Sequence, residues 1–121
     1  MPMSPKRVLI VDDEPEIRQM LSFYLSKIGW EVVAVKSGQE ALQAFKLGRF
    51  EAILADVDLK EELDGIDVAK RLLNQDPCLK VVIMSGQPQN AERVKEAKVG
   101  AFITKPFEVP AINALLCCEP Q

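Results

Sequence analysis

Five short apolar runs, residues 8–11, 31–35, 52–56, 80–85 and 101–104, alternate along the chain with five segments of helical periodicity. No other feature of the sequence constrains the fold as tightly. Short continuous apolar runs suit strands that are covered on both faces. Strands separated by single helices pair in parallel through right-handed crossovers. The expectation is an α/β fold, a doubly wound five-stranded parallel sheet flanked by five helices. A strand order of 2-1-3-4-5 would set strands one and three side by side where the winding reverses, and in such sheets function gathers at the carboxyl ends of the strands.

The helices carry their own signals. Asp12-Asp13-Glu14-Pro15 announces the first, with acidic groups at the positive end of the helix dipole and proline in the first turn. Ile17, Met20, Leu21, Tyr24, Leu25 and Ile28 recur at helical spacing, and Gly29 stands where a left-handed cap is needed. Ser37 with Glu40 makes a capping-box pattern ahead of Ala41, Leu42, Ala44 and Phe45, a run that ends before Gly48. A third helix is expected from about Ile66 to the stop at Asp76-Pro77. The fourth, over 87–98, offers only Ala91, Val94 and Ala97 as an apolar face, which predicts the least firmly held helix. Val109, Ile112, Leu115 and Leu116 mark the fifth.

At 121 residues the chain fits one domain spanning 1–121, with its core over about 6–118. A formal charge of -3 gives no electrostatic footprint for direct binding of nucleic acid. No apolar run is long enough to span a membrane and the start has no secretory pattern, so a cytoplasmic protein is expected. Cys78 stands alone and Cys117-Cys118 are adjacent, which matches neither a disulfide framework nor a zinc site. The chain has no histidine, which removes histidine ligands and histidine bases from its chemistry.

The chemistry lies at the strand ends. Asp12 and Asp13 follow the first strand, Asp56 closes the third, Ser85 closes the fourth, and Lys105 follows the fifth. Carboxylates held a few ångströms apart repel, so a proton or a cation must occupy the site. Magnesium, which prefers oxygen donors and keeps room for phosphate oxygens, is the natural occupant. The metal and Lys105 would offset the charge of a transferring phosphoryl group while Asp56 attacks the phosphorus, and Ser85 could donate to a phosphoryl oxygen. Taken singly, each residue has a plainer reading. Asp12 or Asp13 could be a helix cap, Asp56 a turn residue and Ser85 a loop residue. Lys105 could be a surface charge, Phe102 core, and Asp58 part of a solvated acidic run. Their joint occurrence, each at its own strand end, outweighs those separate readings.

Together these residues resemble the response-regulator receiver domain of bacterial two-component signalling, of flavodoxin-like architecture, from Val8 to about Leu116. The resemblance implies that Asp12 and Asp13 are the acidic pair, Asp56 the phosphoacceptor, and the main-chain carbonyl of Asp58 a further magnesium ligand. It makes Ser85 the switch hydroxyl, Phe102 the switch aromatic, and Lys105-Pro106-Phe107 a motif whose lysine–proline bond is typically cis. The implied partner is a histidine kinase or histidine phosphotransfer protein, whose phosphohistidine donates to Asp56. Phosphorylation would draw Ser85 toward the phosphate, turn Phe102 inward and shift the surface of helix four, strand five and helix five. Such a protein is a signalling switch rather than an enzyme in the ordinary sense, assisting its own phosphotransfer and autodephosphorylation, with Asp58 and Gln87 influencing the latter. An output domain or effector, and a homodimer through the helix-four to helix-five face, are compatible with it.

Leu59-Lys60 stands where the family often has Met-Pro, the loop to Gly65 is one residue longer, and Lys98 stands where glycine is common. The tail 117–121 fits either a stand-alone receiver or the front of a longer regulator. Two rivals remain at this point. Asp56-Val57-Asp58 resembles the nucleophile and acid/base aspartates of haloacid-dehalogenase-like phosphatases, although that motif normally follows the first strand and would leave Asp12-Asp13 unexplained. The other rival is a degenerate receiver that serves only as a docking module.

Overall fold

A computed structural model of the chain describes residues 6–45, 49–60 and 62–117. Gly48, the acidic-loop residue Glu61 and the tail from 118 onward, on which parts of the sequence reading fall, lie outside the described residues. The element order is β1 (Arg7–Val11), α1 (Pro15–Lys27), β2 (Glu31–Val35), α2 (Gly38–Ala44), β3 (Ala52–Asp56), α3 (Gly65–Gln75), β4 (Lys80–Ser85), α4 (Asn90–Ala97), β5 (Ala101–Thr104) and α5 (Val109–Cys117). The strands form one sheet in the order β2-β1-β3-β4-β5, and every pairing is parallel.

The two-residue period of the strands divides the core into two layers. Val8, Ile10, Ala52, Leu54, Val82 and Met84 face one way and pack with Leu21 and Leu25 of α1 and Ile112 and Leu116 of α5. Leu9, Val11, Ile53, Ala55, Val81 and Ile83 face the other way, against Ala41 of α2, Ile66, Ala69 and Leu72 of α3, and Val94 of α4. β3 is buried at all five positions, which explains why its sequence shows no polar alternation. Each fully buried aliphatic side chain contributes about 1.5–3 kcal/mol, so truncating Leu54 or Ile10 would cost more than any surface change.

Helix boundaries follow local chemistry. Gly29 takes φ +106° after α1, the left-handed turn expected there. Ser37 Oγ accepts from Glu40 N, while the Glu40 carboxylate reaches Lys36 N, one residue short of a full capping box. The complete box is at α3, where Asp64 and Asp67 accept each other's backbone N–H. α4 begins at Asn90, three residues later than its sequence pattern suggests. Asn90 N and Ala91 N bond to Gln87 O and Pro88 O, a tight turn rather than an α-helical one, and Pro88 has no N–H to give. Only Asn90 and Val94 of α4 are buried, in keeping with its thin apolar face.

Candidate functional site

The register aligns Val11 with Ala55, so the next residue on each strand, Asp12 and Asp56, arrives at the same place on the carboxyl edge of the sheet. Both are buried, at 0% and 1% exposure. Asp12 is fixed on three sides. Its N–H donates to Val35 O at 3.1 Å, its carbonyl accepts from Arg18 at 2.8 Å, and its Oδ1 accepts from Glu14 N at 2.9 Å. The cap of α1 is Glu14, so the helix start accounts for Asp12 Oδ1, which takes the Glu14 N–H, but not for Asp12 Oδ2.

Lys105 comes from the other side of the site. Its N–H donates to Ser85 O at 2.8 Å, continuing the β4–β5 pairing by one residue, and its bond to Pro106 is cis. The Nζ lies 2.8 Å from Asp12 Oδ2, 3.0 Å from Asp56 Oδ2 and 3.4 Å from Glu14 Oε1. One ammonium therefore bridges the two buried carboxylates. Burial opposes its charge, but the Asp12 hydrogen bond and the Asp56 charge overcome that and hold the Lys105 pKa above its ordinary value. Burial dominates at Asp56 and pushes its carboxyl up, against the Asp58 N–H and the Lys105 charge and with repulsion from Asp12.

Asp13 and Glu14 complete the acidic group. One carboxylate oxygen from each of Asp12, Asp13, Glu14 and Asp56 falls within a set whose members all lie within 4.8 Å of one another. A set of hard oxygen donors without histidine or thiolate fits magnesium or calcium rather than zinc. Glu14 was not singled out from the sequence because its place next to Pro15 is fully explained by the helix start; the signal was the unbroken Asp-Asp-Glu run.

The side chains of Asp58 and Ser85 meet each other rather than Asp56, which Asp58 reaches only through its backbone N–H. Asp58 N donates to Asp56 Oδ1 at 3.0 Å, while Asp58 Oδ2 accepts the Ser85 hydroxyl at 2.9 Å. Ser85 has the parity of Val81 and Ile83, so it turns toward the layer of α2, α3 and α4. There its Oγ accepts from Gln87 N at 3.0 Å and from Asn90 Nδ2 at 2.9 Å. Asn90 is buried and accepts from Arg93 at 3.4 Å, and Arg93 in turn donates to Asp64 at 2.7 Å. Neither Asn90 nor Arg93 was marked by any sequence pattern. Phe102 lies outside the polar site, half-buried against the α2–α4 layer.

The response regulator receiver domain family matches residues 8–116. The chemotaxis protein CheY of Thermotoga maritima is 37% identical over 115 residues, an alignment covering 89% of this chain and 95% of that protein. The alkaline phosphatase synthesis transcriptional regulatory protein PhoP of Bacillus subtilis is 32% identical over 111 residues, covering 90% of this chain and 46% of the regulator. The chain thus spans nearly all of one relative and about half of the other. Among solved structures, the response regulator TrrA of Thermotoga maritima in complex with Mg2+-BeF superimposes with a TM-score of 0.80 at 25% identity, covering 89% of this chain and 93% of that one. A CheY-like receiver domain protein of Methanospirillum hungatei gives 0.82 at 26% identity, covering 93% and 94%.

Proposed function

The chain belongs to the response regulator receiver domain family of two-component signalling, and on that premise we propose that Asp56 accepts a phosphoryl group from the phosphohistidine of a partner kinase or phosphotransfer protein. The observation that carries this reading is the placement of Asp56, buried at the end of β3 beside Asp12, with the Lys105 ammonium within 3.0 Å of both.

The Asp56 carboxylate is held from two sides, by Asp58 N on Oδ1 and by Lys105 on Oδ2. Each oxygen keeps a lone pair beyond the one so engaged. One of them forms the new O–P bond as the P–N bond to the partner's imidazole breaks, and the imidazole keeps the electron pair and takes up a proton. Lys105 offsets the charge on the phosphoryl oxygens from a position already fixed by β5. Magnesium, held by the carboxylates of Asp12, Asp13 and Asp56 and the main-chain carbonyl of Asp58, would neutralise further charge on the phosphoryl group. The acidic donor set and the Mg2+-BeF complex of TrrA support that assignment.

Ser85 is the switch hydroxyl and Phe102 the switch aromatic in this reading, which passes the modified state of Asp56 to the surface of α4, β5 and α5. Loss of the phosphoryl group to water resets the switch, at a rate tuned by Asp58 and Gln87. An output domain or effector, or a second copy of the chain, would read that surface, and 1–121 acts as one receiver unit. Among the described residues no helix is long and apolar enough to cross a membrane.

Intact mass after incubation with acetyl phosphate and magnesium tests the assignment. One phosphate adduct is expected, absent from Asp56→Ala and suppressed by EDTA. A folded wild-type protein without an adduct would leave the docking-module reading in its place, and an adduct that persists in Asp56→Ala would move the acceptor elsewhere.

A further inference from the structure

A serine hydroxyl offers one hydrogen and two lone pairs, and at Ser85 all three are in use. The hydrogen goes to Asp58 Oδ2, and the lone pairs take Gln87 N and Asn90 Nδ2, at 2.9, 3.0 and 2.9 Å. Ser85 therefore cannot turn toward a group on Asp56 without giving up partners. The Asp58 carboxylate is half-exposed and Gln87 is exposed, so water can replace Ser85 at both. Asn90 is different. It is buried, and a buried amide donor deprived of its acceptor is costly. Asn90 must follow Ser85 or lose that bond.

Asn90 is also the first residue of α4, and that helix is otherwise lightly held. Val94 is its only buried apolar side chain, and Arg93 ties the same first turn to the α3 cap at Asp64. The side-chain oxygen Oδ1 of Asn90 accepts from Arg93, so a single side chain joins the Ser85 hydroxyl to the outer anchor of the helix.

We propose that Asn90 is the positioning residue that couples the Ser85 hydroxyl to the first turn of α4, so that displacement of Ser85 is passed to the helix through one side-chain hydrogen bond. This rests on the reading of Ser85 as the switch hydroxyl. It adds the connection by which the switch reaches the helix.

Hydrogen exchange of the α4 amides tests it in the whole chain. In the resting protein, without phosphodonor or metal, Asn90→Ala is expected to speed α4 exchange roughly fivefold, the factor set by one net hydrogen bond. Ser85→Ala produces a comparable increase, and the double variant adds little to either, because both cut the same 2.9 Å bond and the Arg93 contact that Asn90→Ala also removes is long, at 3.4 Å. Wild-type exchange in Asn90→Ala, or fully additive effects, would overturn the proposal. Should Asn90→Ala not fold, Ser85→Ala tests the bond from its other end, and unchanged α4 exchange there is equally fatal. With beryllium fluoride and magnesium bound, the wild type changes its α4 exchange, whereas Asn90→Ala takes up the ligand and loses most of that response; a full response in the variant refutes the coupling. If the wild type takes up no beryllium fluoride, the phosphoacceptor reading fails, while the resting-state comparison still decides the role of Asn90.

Discussion

The Nζ of Lys105 lies 3.0 Å from Asp56 Oδ2 and serves Asp12 at 2.8 Å with the same charge. Two buried carboxylates on neighbouring strands thus depend on one ammonium contributed by a third strand. Lys105→Ala leaves both unpaired, and breaking a buried pair by removing one partner costs about 3 kcal/mol. The expected outcome is a large loss of stability at neutral pH in EDTA, read by urea denaturation. The deficit narrows in acid, where one carboxylate of the orphaned pair takes a proton, and on the proposed magnesium reading it narrows with added magnesium, which carboxylates freed of the lysine would hold more tightly than the wild-type site does. The Lys105 pKa is raised in the folded state, so in the wild type its contribution is complete below the ordinary value of 10.5 and is lost only as pH rises through the higher folded value. A variant as stable as wild type at neutral pH in EDTA would show that the carboxylates do not need the lysine.

Gly65 holds the same site from behind. A Cβ there would collide with the carbonyl oxygen of Asp56 and stand 2.7 Å from its carbonyl carbon, and backbone cannot yield as a side-chain end can. Gly65→Ala must therefore push the start of α3 away from β3 or tilt Asp56. A loss of about 2 kcal/mol is expected, of the size that overpacking produces. Phosphoryl uptake should fall with it, because the displaced atoms belong to the proposed acceptor residue itself. Denaturant midpoints together with adduct yield from acetyl phosphate check both parts, and normal uptake in a destabilised variant would separate Gly65 from the site.

The contrast between Asp56 and Asn90 shows what could be read from the sequence and what could not. Five covered parallel strands, the two-layer core and the strand-end positions of Asp12, Asp56 and Lys105 follow from periodicity, which acts over a few residues and is written locally, whereas the strand order that brings the three together came with the family resemblance. The partner of Ser85 was not legible in that way. Its choice of Asp58 and Asn90 depends on the face to which β4 turns its last residue and on where α4 starts, and that start is delayed by the turn at Pro88. Arg93 reaching Asp64 across 29 residues is likewise a tertiary event, between the first turn of α4 and the cap of α3, with no periodic trace.

Lys98 ends α4 in the left-handed region, at φ +56°, a conformation that costs a side-chain-bearing residue about 1 kcal/mol or more. Glycine adopts it freely but gives up more freedom on folding, which returns part of the gain. Lys98→Gly is expected to stabilise the protein by roughly 0.5 kcal/mol, and to slow hydrogen exchange at the carboxyl end of α4. A destabilised variant would mean that the lysine side chain contributes contacts worth more than the relieved strain.

The Arg93–Asp64 pair gives a pH signature that isolates the α3–α4 link. Burial alone would raise the Asp64 carboxyl, but the Asp67 N–H and the Arg93 guanidinium outweigh it, and the folded pKa lies below the ordinary 3.8. A carboxylate with a depressed folded pKa stabilises above its unfolded value and loses that contribution as pH falls through the folded value. Arg93→Ala removes one cause of the depression and leaves the Asp67 N–H in place. The variant is therefore expected to be less stable than wild type above about pH 4, by no more than ~1 kcal/mol because the guanidinium is half-exposed. The two proteins should converge as pH falls through the folded Asp64 value, which lies below the ordinary 3.8, because the protonated carboxyl leaves the arginine no anion to hold. Urea titrations at neutral and acid pH decide it. A stability gap that persists unchanged into strong acid would assign the loss to packing of the arginine stem rather than to its charge.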